Sequence, residues 1–292
     1  MRPLLTWLLA FVPLLVSGQE TRWKFPCPTN EIAHYTALRA ATPLRIDGIL
    51  DEAAWANAPA SPRFVDILTG QPVWHETRAT VLWDATNLFI GFRIEEPNVR
   101  AKFTNHNATI YYDNDVEVFI AGRDAYYEFE INAFNTCYEV FFIWQDVYRK
   151  RGFSKAPEFA RRKLKPFNGV DFKTHPRGGR LGNFDWAFPG MQTAVHIDGT
   201  VNDDRDVDRG WTVELAFPWQ GMKWLATDGR SLPPKHGDVW RMDFSLFNTY
   251  KQPAPARDSG GWVWTRHGVW DSHIPECFAY IEFSTNAPAL GR

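Results

Sequence analysis

Positive charge is not in excess in this chain. Its 32 Lys and Arg stand against 34 Asp and Glu, a formal net charge of -2, so it lacks the basic surplus with which nucleic-acid binders meet phosphates, and no nucleic-acid partner is expected. Cysteine is scarce: Cys27, Cys137 and Cys277 occur in no CxxC or CxxCH spacing, which argues against cysteine-held metal, redox chemistry or haem attachment. The eight histidines form no HxH or HExxH pair, and no GxSxG, GxxxxGK[ST] or GxGxxG element stands between a strand and a helix; the common catalytic-metal, hydrolase and nucleotide signatures are therefore missing. No long amphipathic helix is readable.

The long apolar run is MRPLLTWLLAFVPLLVSG, broken by Pro13 and shorter than the roughly 20 residues a spanning helix needs. One positive charge, the apolar run and small residues Ser17 and Gly18 predict a cleaved export signal over residues 1–18, with a membrane anchor as the alternative. The expected destination is secreted, periplasmic or cell-surface, with no membrane span after the signal is removed. Under oxidising conditions Cys27 and Cys277 can bridge if the terminal segments are neighbours, while Cys137, on an apolar strand, is expected as a buried thiol. The sequence sets no oligomeric state.

Aromatic residues are plentiful, with 14 Trp, 22 Phe and 9 Tyr. They fall in short alternating runs bounded by turn residues, the pattern of an all-β sandwich or barrel. Arg78–Trp83, a turn over residues 84–87 and Leu88–Ile94 predict a hairpin. Val116–Ala121, Tyr126–Phe134 and Tyr138–Trp144 predict a meander, followed by Gln192–Ile197, Trp211–Phe217, Val239–Phe247, Gly261–Thr265 and Phe278–Phe283. Between them, Gln145–Gly190 is rich in Arg, Lys, Gly and Pro with little periodicity. It is expected as a long irregular insertion: a functional loop whose basic residues meet an acidic glycan, or a solvated crossover. The expected organisation is a signal at 1–18, a lead-in at 19–36, one sandwich at 37–285 with its insertion at about 145–190, and a flexible tail at 286–292.

Asp113–Asn132, DNDVEVFIAGRDAYYEFEIN, is the most informative stretch. Strand side chains alternate between faces. Val116, Val118 and Ile120 therefore share one side with Phe129 and Ile131, leaving Glu117, Glu128, Glu130 and Asn132 on the other, with Tyr111 and Tyr112 just before them. A pyranose has an apolar C–H face that packs on an aromatic ring and a rim of hydroxyls that needs acceptors and donors. The same carboxylates allow a different reading, a glycoside hydrolase using Glu117 and Glu130. A haem-binding sandwich with Met191, Met222 or Met242 beside a histidine is a third.

The segments IDGILDEAAW (Ile46–Trp55), VLWDATNLFIGFRIEEP (Val81–Pro97), YYDNDVEVFI (Tyr111–Ile120), YYEFEIN (Tyr126–Asn132), GWTVELAFPW (Gly210–Trp219), GDVWRMDFSLFN (Gly237–Asn248) and HIPECFAYIEFS (His273–Ser284) occur in one order along the chain. Together they resemble the family 9 carbohydrate-binding modules and their exported relatives. The resemblance implies an antiparallel β-sandwich of jelly-roll type, non-catalytic, that holds the end of a saccharide chain between two aromatic rings over charged and amide side chains. By position it implies Tyr111 as one ring, Glu117 as a hydroxyl acceptor, and Glu130 and Asn132 from the second polar strand, Glu130 standing where one type of relative carries Arg. The second ring falls to Trp270 rather than Trp264. No cofactor is implied beyond a structural calcium. For that, Asp204, Asp206 and Asp208 alternate before Gly210, with the glycine one residue late and Leu215 where a closing Glu would stand; an acid-rich hairpin turn is the other reading.

Overall fold

Alternation in ATVLW and LFIGF, joined by Asp84 and Asn87, makes a hairpin: Asp84 accepts from the backbone N–H of Thr86 and Asn87 and fixes the turn. In the computed structural model, which describes residues 24–249 and 258–286, this hairpin belongs to one continuous 14-stranded sheet. The strands are β1 (His34–Arg39), β2 (Val65–Asp66), β3 (Thr77–Trp83), β4 (Asn87–Glu95), β5 (Asp115–Ala121), β6 (Ala125–Asn132), β7 (Cys137–Trp144), β8 (Lys165–Phe167), β9 (Arg180–Asn183), β10 (Gln192–Asp198), β11 (Gly210–Pro218), β12 (Val239–Phe247), β13 (Gly261–Val263) and β14 (Ala279–Ser284). Their order is β10-β11-β4-β3-β1-β14-β12-β5-β6-β7-β9-β8, with β13 and β2 branching from β12.

The sheet folds back so that its two halves face each other across one core. Phe92 on β4 meets Phe244 on β12 with ring centroids 6.1 Å apart, and Phe129 on β6 meets Phe217 on β11 at 5.5 Å. Val116, Val118 and Ile120 lie in that core with Trp211, Val213 and Leu215. This is a β-sandwich, as the sequence predicts. It is mixed rather than wholly antiparallel, because β1 runs parallel to both β14 and β3. The expected signal at 1–18 lies outside the described residues, as does all but residue 286 of the expected tail.

IDGILDEAAW forms no edge strand. Its turn and the short helix α1 (Ala53–Asn57) instead carry Trp55 down onto Glu214 of β11. The Trp55 indole donates to Glu214 Oε1 at 2.8 Å, while the backbone N–H groups of Asp47 and Gly48 donate to Oε2 at 2.9 and 2.8 Å. Gly48 is required there: its φ is +88°, and a Cβ would lie 2.6 Å from the Val195 carbonyl carbon. Since each buried donor left without a partner costs about 1–3 kcal/mol, Glu214→Ala is expected to destabilise the fold by about 3 kcal/mol or more. Urea unfolding should show the midpoint falling with an unchanged m value.

The insertion at 145–190 is not a solvated crossover. It contributes β8 and β9, and β9 extends the sheet beyond β7. Phe153, Phe159, Leu164, Trp186 and Phe188 from this stretch enter the main core. Arg180, one of its basic residues, is buried over Trp144 and donates to the His273 carbonyl, so it braces a wall rather than meeting solvent. Cys27 and Cys277 form a disulfide with Cα atoms 5.7 Å apart, and Cys137 is a buried free thiol.

Candidate functional site

The outer face of β5, β6, β7 and β12 is a polar stripe between aromatic margins. Strand register sets it: Glu117 lies directly opposite Glu130, with Ser245 on its other flank, and Glu130 is opposite Tyr138. This face is not open, as alternation alone would suggest. A second apolar cluster including Phe119, Tyr126, Val140, Phe142 and Phe278 covers one end, with Phe167 and Phe184 of the insertion packed against it. What stays uncovered is a cavity of about 420 Å³, within the roughly 300–1,000 Å³ of small-ligand sites.

Four of the five residues expected to bind sugar line that cavity: Tyr111, Glu117, Glu130 and Trp270. Tyr111 sits on a 3-10 turn (Ile110–Tyr112), is 42% exposed and rests against the edge of the Tyr138 ring at 5.6 Å. Trp270 is 37% exposed and stands edge-on to Phe247 at 5.1 Å. Its ring lies over Gly261, where a Cβ would approach within 2.7 Å of the indole. The alternative ring, Trp264, is buried between Tyr35 and Phe244.

Asn132 does not join them. It is fully buried; its amide donates to the Phe103 carbonyl at 2.9 Å and to Asp113 at 3.1 Å, and its oxygen accepts from the backbone N–H of Phe134 and Thr136. All its hydrogen-bonding capacity goes into fastening the 102–103 segment and the β6–β7 turn, so its role is positional. The three aspartates of the acidic turn are not gathered around a point either. Asp204 pairs with Asn98 and Arg100, Asp206 accepts from the Thr200 hydroxyl, and Asp208 accepts from the backbone N–H of Val99 and Thr200. Asp206 and Asp208 fasten Thr200, and Asp204 and Asp208 tie the turn to residues 98–100.

Several lining residues were not anticipated. Tyr138 and Phe247 follow from register with Glu130 and Asp115, which a single strand's alternation does not show. The wall carrying Trp270 is set by Asp271, whose Oδ2 accepts three backbone N–H groups of the insertion, Val170, Asp171 and Phe172, at 2.8–3.0 Å, while Oδ1 accepts from His273 N at 2.8 Å. Asp271 thus locks the insertion to the loop before β14. Nothing in the composition of either segment announces this pairing.

The floor is acidic and buried. Glu117 and Glu130 are 5% and 2% exposed, and Asp115 beside them is fully buried. Burial is the chief cause that raises all three carboxyls. It is reinforced by Glu117 and Asp113 at Asp115, and by Asp115 and Glu117 at Glu130. Glu117 is pushed up to about 8 by burial, against the opposing hydrogen bond from Ser245; Asp243 adds to the rise and His267 opposes it. Among the described residues, no Lys or Arg lines the cavity. His273, which does, has its pKa driven to about 3 by burial and contributes a neutral ring, hydrogen-bonded to the Tyr126 hydroxyl at 3.2 Å and 3.3 Å from Glu128.

A carboxyl whose folded pKa exceeds its unfolded value stabilises the fold below the unfolded value, and that stability is lost as pH rises through the folded one. For Glu117 the window runs from about 4.5 to about 8. In chelator-treated buffer the thermal midpoint is therefore expected to fall between pH 5 and pH 9, and Glu117→Gln to flatten that fall. Scanning calorimetry at the two pH values checks it.

Residues 46–150 match the sequence family described as carbohydrate family 9 binding domain-like. Two solved structures share the architecture. One is a candidate carbohydrate-binding protein from Bacteroides uniformis ATCC 8492, 14% identical with a TM-score of 0.53, covering 87% of this chain and 100% of that one. The other is a carbohydrate binding module of family 9 from Caldicellulosiruptor kristjanssonii in complex with cellotriose, 13% identical with a TM-score of 0.51, covering 89% of this chain and 97% of that one. The fold is that of the family 9 carbohydrate-binding modules. A comparison with curated proteins found no match. The family 9 likeness spans both halves of the sandwich, since the structural overlap runs well beyond residues 46–150.

Proposed function

We propose that this chain is an exported, non-catalytic saccharide-binding protein whose cavity takes the end of a sugar chain between Tyr111 and Trp270, over Glu117 and Glu130. One observation carries the reading: two half-exposed rings and two buried carboxyls, from four separate segments, line the same cavity. Rings at the mouth suit the C–H faces of a pyranose; polar groups at the floor suit its hydroxyls. Protonated carboxyls serve both as donors and as acceptors, so a floor held neutral by burial still recognises hydroxyls. The apolar run at residues 1–18 and the Cys27–Cys277 bridge support an oxidising destination outside the cytoplasm. A role in polysaccharide breakdown follows if the preferred ligands are chain ends of plant or microbial glucans, and cello-oligosaccharides are the first to try, given the ligand in the Caldicellulosiruptor structure.

The hydrolase reading has no match behind it: the matching family model and both solved structures are described by carbohydrate binding. The haem reading loses its ligands, since Met222 and Met242 are packed in the core and no methionine lines the cavity. A glycan array followed by calorimetric titration tests the proposal. Saccharide binding at millimolar or tighter affinity is expected, and silence across neutral and acidic glycans at that concentration counts decisively against it.

A further inference from the structure

The cavity floor has unmet bonding capacity. Glu117 and Glu130 stand directly opposite each other on neighbouring strands, where two ionised carboxylates would repel, and Asp115 adds a third carboxyl. Among the described residues, these three form the group whose ligand oxygens all lie within 4.8 Å of one another. All are more than nine-tenths buried.

A second observation separates this cluster from an ordinary acidic surface. Both oxygens of Asp115 and Oε2 of Glu130 are buried with no hydrogen-bond partner. Buried polar atoms in folded proteins are nearly always satisfied, and an orphaned carboxylate costs more than an orphaned neutral group. Among the described residues no donor reaches Asp115, whose carboxylate lies within 4.8 Å of those of Glu117 and Glu130. The surrounding groups do not supply the missing positive charge. Ser245 donates its hydroxyl to Glu117 at 2.9 Å. His267 has its Nε2 3.4 Å from Asp243 and its Nδ1 2.7 Å from the Asp271 carbonyl, and it hydrogen-bonds none of the three carboxyls. Arg180 sits behind the far wall on the His273 carbonyl.

We propose that Asp115, Glu117 and Glu130 hold a divalent, oxygen-seeking cation of the calcium class in the cavity floor, which meets the hydroxyls of the bound sugar. The donor set is all carboxylate, with neither sulfur nor imidazole within the group, and this selects a hard cation over zinc or copper. Such an ion takes six to eight oxygens. Three carboxylates leave positions toward the cavity, where Glu117 and Glu130 are accessible and Asp115 lies beneath them. Water or a pair of neighbouring sugar hydroxyls fills those positions. A divalent cation competes with protons for carboxylate ligands, so binding weakens in acid. The acidic turn at Asp204, Asp206 and Asp208 is a separate place with its own internal partners.

The contact with sugar rests on the saccharide reading; the cation site does not. The test uses the full mature protein stripped with chelator and titrated with CaCl2, then with MnCl2, by calorimetry and thermal unfolding at pH 5 and pH 8. The expected result is a saturable heat and a rise in thermal midpoint of several degrees at pH 8, much reduced at pH 5. Asp115→Asn is expected to fold and to bind calcium about tenfold or more weakly. Glu130→Gln, which keeps the side-chain shape, gives the same answer if the first variant is poorly folded, and Asp204→Asn serves as the control that leaves the response intact. No heat or shift with millimolar calcium or manganese overturns the proposal. So does a response that survives in Asp115→Asn and Glu130→Gln, or one that disappears in Asp204→Asn. Saccharide binding that is unchanged by chelator, with no cation response, sinks this inference and leaves the saccharide reading standing; a cation response without any saccharide ligand does the reverse.

Discussion

Trp270→Ala will lower saccharide affinity about thirtyfold or more while shifting the thermal midpoint by no more than a few degrees. The asymmetry follows from where the ring sits. Trp270 is 37% exposed, stands edge-on to Phe247 above the backbone of Gly261 and is no member of the main core, so its removal opens no cavity there. In a binding site, by contrast, a truncated aromatic anchor commonly costs 2 kcal/mol or more, and each 1.4 kcal/mol is a tenfold loss. Tyr111→Ala is expected to act in the same direction with a smaller effect, because Tyr138 and Tyr112 remain beside the gap. Trp270→Phe should recover most of the affinity if stacking on a flat face is the source. A loss of affinity in Trp270→Ala accompanied by a large fall in its own thermal midpoint would instead mean that the mouth of the cavity had collapsed.

Loss of the Cys27–Cys277 bridge has the largest expected effect on stability. The bond closes a loop spanning 250 residues, and constraining so long a segment of the unfolded chain stabilises by about 5 kcal/mol in the chain-entropy account. The double variant Cys27→Ser, Cys277→Ser is therefore expected to unfold about 10 °C lower. The consequence reaches the site. Cys27 and Cys277 pack with Ile274, and Phe172 and Val269 flank this cluster; Phe172 belongs to the turn that Asp271 grips, and Val269 precedes Trp270. Weakening the bridge should loosen the wall that presents the indole, so saccharide affinity is expected to fall in the folded variant as well. A variant with unchanged affinity would show that Asp271 alone holds the wall.

Sequence alternation makes half of this site legible. A period of two puts Glu117, Glu128 and Glu130 on one face because each strand has a single apolar side to bury, and β3, β4 and β12 are placed within a residue or two for the same reason. The failures share a cause. Alternation describes one strand at a time, while the missed features depend on which segments meet. Short β1 has a mixed polar and apolar face and finds its place only through parallel pairing with β14. The insertion, with its many basic and glycine residues, looks solvated; scattered Phe153, Phe159 and Trp186 reach the core from 3-10 turns and loops that carry no periodicity. Asn132 obeys the alternation and yet faces the loop at 102–103, because the strand ends there and the chain beyond it folds over the amide. Asp204, Asp206 and Asp208 keep a ligand-like spacing, but the turn uses each to satisfy its own backbone or side-chain donors.

The most direct test is a crystal structure of the protein with a saccharide identified by glycan screening, cello-oligosaccharides first. The ring of the terminal sugar is predicted to lie between Tyr111 and Trp270, with its hydroxyls over Glu117 and Glu130. Sugar density on any other surface, with this cavity holding only solvent, would contradict the account.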